Sequence, residues 1–232
     1  MTGSKLTFSG SFKLPKLEPH YRTEVARLAD IFIHVAALFL AVAGASYALW
    51  IVTNNARSGD AGSIFIYSSG LIAMFGLSAA YNFASPERQP FLRRLDHAGV
   101  FLMIAASYTP FTTQALTGSW AIGMTIAVWA LAGIGIFGKL MVPDLGKMYW
   151  IGFYLVLGWL VVIAVGPLMR VVPFNALALL VCGGVAYSVG TIFYANKRLV
   201  FRRAVWHAHV LAGAGMHYFA ILYGVILKDA NG

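Results

Sequence analysis

Seven long apolar runs constrain the fold of this chain more than any other feature of its sequence. Each is long enough to cross about 30 Å of membrane hydrocarbon as a helix that rises about 1.5 Å per residue. The mean hydropathy of the chain is +0.75, which is too high for a soluble domain. The runs are continuous, whereas strands of a membrane barrel alternate, and a backbone in lipid must satisfy its own hydrogen bonds. The predicted helical spans are 31–52, 64–83, 98–116, 120–141, 149–168, 174–194 and 204–227.

The basic residues lie between these runs and alternate in number from one side to the other. The chain has 17 Lys and Arg and a net charge of +9. The N-terminal tail and the second, fourth and sixth loops carry most of them, while the opposite side has only Arg57, Arg170 and Lys228. The positive-inside rule therefore predicts a cytoplasmic N-terminus and an outside C-terminus. Because the charges do not gather on one soluble module, nucleic acid is excluded as a partner.

These patterns predict an all-α, polytopic membrane protein, a single bundle of seven transmembrane helices. Its organisation would be a cytoplasmic tail over 1–29, the membrane domain over 30–228 and a short C-terminal tail over 229–232. The first twenty residues contain no apolar core segment, so we expect no cleaved signal peptide. The single cysteine, Cys182, excludes an intramolecular disulfide and a thiolate metal site.

Asp96 is the polar residue that most needs an explanation, because it begins a spanning helix. An ionised carboxylate costs several kcal/mol in hydrocarbon, so such residues face a bundle interior and a partner. On a helix, Asp96, Met103 and Ser107 share one face. That face is expected to point inward.

Other polar residues are expected to lie at the same cytoplasmic end, around a polar cavity that opens to the cytoplasm. Asp30 with His34, Ser78 with Asn82, and Arg203 with His207 each have the i, i+4 spacing of one helix face. We expect one group to converge inside the bundle, namely Ser78, Asn82, Asp96 and His207. We interpret a second group as interfacial residues near lipid headgroups, namely Asp30, His97, His209 and Arg203.

Two further features have a structural interpretation. Gly133, Gly135 and Gly138 spell GxGxxG, but they follow no strand and lie inside a span, so close helix packing explains them. His217 lies ten residues beyond His207, too deep for the same site. We expect it to hydrogen bond to a neighbouring helix.

Three segments carry a resemblance to a known family. They are SAAYN at 78–82, LDHAGVFLMIAASYTPF at 95–111 and AVWHAHVLAGAGMH at 204–217. They resemble the hemolysin III proteins, the bacterial branch of the progestin and adipoQ receptor family, within a wider group that includes alkaline ceramidases. The resemblance covers roughly 21–227 and implies a seven-helix bundle integral to the bacterial cytoplasmic (inner) membrane.

The resemblance also implies a zinc ion near the cytoplasmic side. In the family, one histidine ends a Ser-x-x-x-His motif on the second helix, and two histidines four residues apart begin the seventh helix. An aspartate that opens the third helix contacts a metal-bound water. The serine, the aspartate and one histidine correspond to Ser78, Asp96 and His207, but the other two histidine positions hold Asn82 and Arg203.

We therefore expect a degenerate zinc site, with His207, Asp96 and a weak Asn82 as the remaining ligands. Arg203 could pair with Asp96 and replace the metal's positive charge with a guanidinium. His34 could instead substitute for a lost ligand and keep a zinc ion bound. Both alternatives stay open from the sequence.

Two functions follow from these alternatives. The favoured one is a membrane or lipid homeostasis protein, sensor or channel-like, whose polar cavity holds a membrane lipid, a small ligand or an ion. The alternative is a zinc-dependent hydrolase of a membrane lipid amide or ester, with Asp96 and Ser78 as catalytic residues. A cytolysin, the activity for which hemolysin III proteins are named, comes last, since no export signal is visible. The sequence specifies neither the substrate nor the oligomeric state.

Overall fold

The computed structural model describes residues 20–228, apart from 55–57 and 143–144. Every regular element within this part of the chain is helical. The α-helices are α1 (Glu24–Asn54), α2 (Ser58–Phe83), α3 (Gln89–Pro110), α4 (Gly118–Met141), α5 (Lys147–Gly158), α6 (Val165–Val171), α7 (Phe174–Ala195) and α8 (Arg202–Ile221). A 3₁₀ segment joins α5 to α6, and π-helical turns extend α3 and α8, over Trp159–Ala164, Phe111–Ala115 and Leu222–Ile226.

The helices form a closed bundle in which neighbours along the chain pack side by side. The most extensive contacts join α2 to α3 and α7 to α8, and α1 closes the ring by packing on both α2 and α8. The buried face of α1 carries Ala37, Ala41, Ala45 and Ala48, at spacings of three or four residues, which is the period of one helix face. These small side chains let α1 approach its neighbours closely.

The prediction of a polytopic all-α membrane protein is confirmed. Within the described residues, six helical segments are long and apolar enough to cross a membrane, with α5 and α6 counting as one. Their outward faces carry large apolar side chains such as Phe39 and Phe137, which are 71% and 67% exposed, as expected for a surface in contact with lipid. α3 is not among the six and carries Arg93, Arg94 and Asp96 near its start.

The seventh span and the orientation of the termini stay predictions. The predicted tail segments 1–19 and 229–232, and Arg57, lie outside the described residues. Within the described part of the predicted tail, helix α1 begins at Glu24, so it extends N-terminally beyond the predicted span 31–52. The additional turns bring His20 and Tyr21 to the bundle end at which α2 ends and α8 begins.

The break between α5 and α6 is held by one side chain from α3. The Tyr108 hydroxyl donates to the backbone oxygen of Gly158 at 2.8 Å and accepts from the backbone N–H of Val161 at 2.8 Å. These groups lose regular helical partners where the 3₁₀ segment begins. An interhelical hydrogen bond thus replaces the missing intrahelical ones.

We expect Tyr108→Phe to lower the free energy of unfolding by about 1–2 kcal/mol, because the change leaves backbone groups at this break without their partner. Thermal unfolding of the detergent-solubilised protein measures the loss. Tyr149→Phe is the matched control, since Tyr149 is 72% exposed, and it should leave the midpoint unchanged. Equal midpoints for the two variants would contradict this role of Tyr108.

Candidate functional site

A buried carboxylate, Asp30 of α1, lies at the centre of a polar cluster at one end of the bundle. Its side chain is 0% exposed. One carboxylate oxygen accepts from His207 Nδ1 at 2.6 Å, and the other accepts from the Tyr21 hydroxyl at 2.5 Å. The interpretation of Asp30 as an interfacial residue is therefore wrong, because two hydrogen-bond donors satisfy its charge inside the protein.

Two imidazole rings point their Nε2 atoms at the same hydroxyl. Nδ1 of His34 lies 2.8 Å from the backbone oxygen of Asp30, which can only accept, so this nitrogen carries the hydrogen. Nδ1 of His207 is likewise the donor to the Asp30 carboxylate. In a neutral imidazole the remaining nitrogen is an acceptor. The two Nε2 atoms lie 3.3 Å and 3.5 Å from Ser78 Oγ.

The residues at the two substituted histidine positions bond to each other. Arg203 Nη1 donates to Asn82 Oδ1 at 3.1 Å, and Arg203 also donates to the backbone oxygen and ring of His20. Burial and the neighbouring guanidinium lower the pKa of His20 to about 4, so its ring is neutral at pH 7 and can accept this bond. The ion pairs among the described residues include none between Arg203 and Asp96, so the direct pairing that the sequence left open as one alternative is not formed.

Asp96 lines the same cavity as Ser78. Its carboxylate is close enough to interact with the Ser78 hydroxyl and with the charges of His207 and Arg203. The predicted shared face is confirmed, because Asp96, Met103 and Ser107 all line one cavity of about 340 Å³. The expected convergence of Ser78, Asn82, Asp96 and His207 is also found, since all four contribute to the cavity lining.

The cavity is long and has a polar end and an apolar remainder. On α3 its lining residues run from Arg93 to Tyr108, and on α8 they run from Arg203 to His217. These stretches correspond to about 20 Å along each helix. Beyond the polar cluster, the lining is largely apolar or aromatic, with Phe75, Val100, Met103, Ile104, Leu155, Trp159 and Val210 among its residues.

Three histidines lie outside the cluster. His217 Nε2 lies 3.2 Å from the backbone oxygen of Leu180 on α7, which confirms its predicted interhelical hydrogen bond. His209 Nδ1 donates to the backbone oxygen of Val205. His97 has no hydrogen-bond partner for its buried Nδ1 within the described part of the chain.

The glycine interpretation is confirmed for two of the three positions. A Cβ on Gly135 would lie 2.5 Å from the Phe101 ring, and one on Gly138 would lie 3.0 Å from Trp150. A Cβ on Gly133 would meet no atom within 4 Å. Close packing against α3 and α5 therefore explains the glycines at these two positions of the GxGxxG motif.

Comparison with known proteins agrees with the three segments that carry the resemblance. The family model described as Haemolysin-III related matches residues 23–218. The chain belongs to the haemolysin III family. It is 30% identical over 197 residues to the Hemolysin-3 homolog of Bacillus subtilis (strain 168), and the aligned region covers 84% of this chain and 92% of that protein.

Two further relatives show how widely the haemolysin III sequence pattern extends. Hemolysin-3 of Bacillus cereus is 29% identical over 180 residues, covering 76% of this chain and 82% of that protein. The monocyte to macrophage differentiation factor of Homo sapiens is 29% identical over 168 residues, covering 68% of each chain. The resemblance predicted from the three segments is confirmed, and the protein is an integral membrane protein.

The ligand set that the resemblance implies for zinc does not fit this haemolysin III protein. At one substituted position, the Arg203 guanidinium has no lone pair to offer to a metal. At the other, the Asn82 side-chain oxygen already accepts a hydrogen bond from Arg203. A different group could hold a metal. Ligand atoms of Asp30, His34 and His207 all lie within 4.8 Å of one another, and their types are compatible with zinc.

Sequence reasoning missed three members of this cluster. His20 and Tyr21 were assigned to the tail, and Asp30 to the interface. The i, i+4 spacing of Asp30 and His34 was the available signal, because one helix face that carries both cannot expose both to lipid without cost. No comparable signal marks His20 or Tyr21, which precede the first helix.

Proposed function

We propose that this protein binds a membrane lipid inside its helix bundle and serves membrane homeostasis as a lipid sensor or carrier. The observation that carries the proposal is the cavity of about 340 Å³ with one polar end. Its volume falls within the range of about 300–1,000 Å³ found for small-molecule sites. A polar end joined to a long apolar section matches the two parts of a lipid.

The polar end offers groups suited to an uncharged or zwitterionic lipid headgroup. Asp96 can accept hydrogen bonds from headgroup hydroxyl or amide groups, and Arg203 is a fixed cation at the same end. The deeper lining by Met103, Ile104 and Val210 offers apolar contact to an acyl chain. A channel would need two polar ends, so the apolar section favours binding over conduction.

A cavity-filling substitution tests lipid binding. Gly158 lines the cavity, and a Cβ on it would meet no atom within 4 Å. We expect Gly158→Phe to lower the amount of lipid that remains bound to the detergent-purified protein at least several-fold, as measured by native mass spectrometry. Gly152→Phe is the matched control, because Gly152 is on the same helix, has equally free space and does not line the cavity. Equal lipid retention in both variants would contradict the proposal.

Hydrolysis of the bound lipid is a second candidate, favoured by the position of Ser78 and Asp96 beside each other at the polar end of the cavity. A lipid amide or ester group held there would lie next to a hydroxyl and a carboxylate. Turnover of a ceramide-like amide by the purified protein, abolished by Asp96→Asn and kept by His209→Ala, would support it. Unchanged turnover in Asp96→Asn would contradict it.

We further propose that the polar end faces the cytoplasm and that the membrane is the bacterial inner membrane. The described basic residues at this end include Arg22, Lys197, Arg198 and Arg202, as the positive-inside rule requires. Cysteines introduced at Lys197 and at Arg170 in a Cys182→Ser background test the orientation. Labelling of the Arg170 position alone by an impermeant reagent on spheroplasts is expected, and the reverse pattern would contradict it.

A further inference from the structure

A second cavity lies at the same end of the bundle, beside the start of α8. It has a volume of about 320 Å³, and its lining shares only Arg203 with the lining of the first cavity. One wall comes from residues just before α1, and the other comes from the loop that joins α7 to α8 and from the first turn of α8. We call it the basic cleft, after the four cations in its lining, Arg22, Lys197, Arg202 and Arg203.

The charged side chains of the basic cleft are all positive. None of the described residues that line it carries a carboxylate, and the ion pairs among the described residues include none with these four cations. The His20 ring adds no charge at pH 7, since burial and Arg203 lower its pKa to about 4. Arg202 is close enough to interact with the charges of Arg203 and Arg22. Like charges thus share one cavity, and an anion among them would remove their repulsion.

Hydrogen bonds fix two of the arginines of the basic cleft and leave donors for an anion. Arg22 Nη1 donates to the backbone oxygen of Arg198 at 3.2 Å, which joins the two walls. Arg203 uses three of its N–H donors on Asn82 and His20. A guanidinium has five N–H donors in a planar fork, so both arginines keep donors that these contacts do not use.

Helix α8 begins in the basic cleft with two arginines, which is an unfavourable arrangement for an isolated helix. The N-terminal end of a helix carries a partial positive charge, so cations there are destabilising and anions are stabilising. The first turn of α8 contains no acidic residue, and its N-cap residue, Phe201, offers no side-chain cap. An anion beside Arg202 would therefore offset both the side-chain charges and the helix dipole.

We propose that the basic cleft binds an anionic phosphate group, and that this group belongs to the headgroup of an acidic phospholipid. Guanidinium forks match the geometry of phosphate oxygens. α7 ends at Ala195 and α8 begins at Arg202, which places the cleft at the depth of lipid headgroups. The exposed apolar side chains of Val200 and Phe201 beside it can contact the start of an acyl chain, which free phosphate lacks. The proposal does not depend on a lipid in the first cavity.

The preference of the detergent-purified protein for phosphatidylglycerol over phosphatidylcholine, measured by native mass spectrometry, tests the proposal. We expect the double variant Lys197→Gln/Arg202→Gln to lower this preference at least about tenfold, because each charge-assisted hydrogen bond is worth about a factor of ten or more. Arg88→Gln/Arg94→Gln is the matched control, since it removes two exposed charges near the start of α3 that line neither cavity. Equal losses in the two double variants, or no loss in the first, would overturn the proposal.

A measurement on the unaltered protein reports on the basic cleft directly and identifies the source of the phosphate. Phosphatidylglycerol should slow the acetylation of Lys197 by an amine-reactive reagent several-fold, as measured by mass spectrometry of the digested protein. The acetylation of Lys228, which is exposed and lines neither cavity, should not change. Equal protection of Lys197 by inorganic phosphate at the same ionic strength would support the phosphate site but overturn its assignment to a lipid. Protection by neither would overturn the whole proposal.

Discussion

Asp30→Ala is expected to lower the free energy of unfolding by about 3–5 kcal/mol, the usual cost of removing one partner from a buried charged pair. The carboxylate is fully buried and accepts hydrogen bonds from His207 and Tyr21. Without it, both donors lose their partner in an interior that water does not reach. Thermal or denaturant unfolding of the detergent-solubilised protein measures the loss.

Asp30→Asn separates the loss of charge from the loss of shape. The amide keeps an oxygen that can accept from one of the two donors, so we expect a smaller loss than for alanine. Asp96→Asn is the comparison variant, because it makes the same change at a carboxylate that is 15% exposed and faces the cavity. If Asp30→Ala unfolded at the same midpoint as the unaltered protein, Asp30 could not be the centre of the cluster.

Gly135→Ala is expected to destabilise the protein by about 1–3 kcal/mol or more, because it overpacks a filled interior. The added Cβ would lie 2.5 Å from the ring of Phe101. That ring is 0% exposed and is packed against Trp150 and Tyr154, with centroids 6.0 Å and 4.4 Å away. It cannot move aside without disturbing these neighbours, so the two helices must separate.

Gly133→Ala is the matched control on the same helix. Its Cβ would meet no atom within 4 Å, and alanine favours a helix over glycine by up to about 1 kcal/mol. We therefore expect an unchanged or slightly raised unfolding midpoint. Equal losses for the two glycines would mean that Gly135 does not mark a close helix contact.

Helix content and the membrane environment followed from the sequence because they depend on local composition. Lipid excludes other backbone structures, so an apolar run of this length has few alternatives. The break between α5 and α6 was not predicted, since the apolar run is continuous there. Its stability depends on the hydroxyl of Tyr108, about 50 residues away along the chain, and such a partner has no local signal.

The polar cluster was predicted only in part, because some of its contacts also have no local signal in the sequence. Helical spacing gave the face of Asp96, Met103 and Ser107, and the order of the spans placed Ser78 and His207 at the same end. Spacing cannot give the rotation of α1 about its axis, which decides whether Asp30 meets headgroups or His207. Packing against α2 and α8 sets that rotation, and it is a property of the whole bundle.

The most direct test of lipid binding is an experimental structure of the protein in lipid nanodiscs at a resolution that shows acyl chains. We expect elongated density in the cavity between α3, α5, α7 and α8, with its polar end beside Ser78 and Asp96 and its tail along Met103 and Val210. A cavity that contains only ordered water, or side chains that close it, would contradict a lipid-binding function.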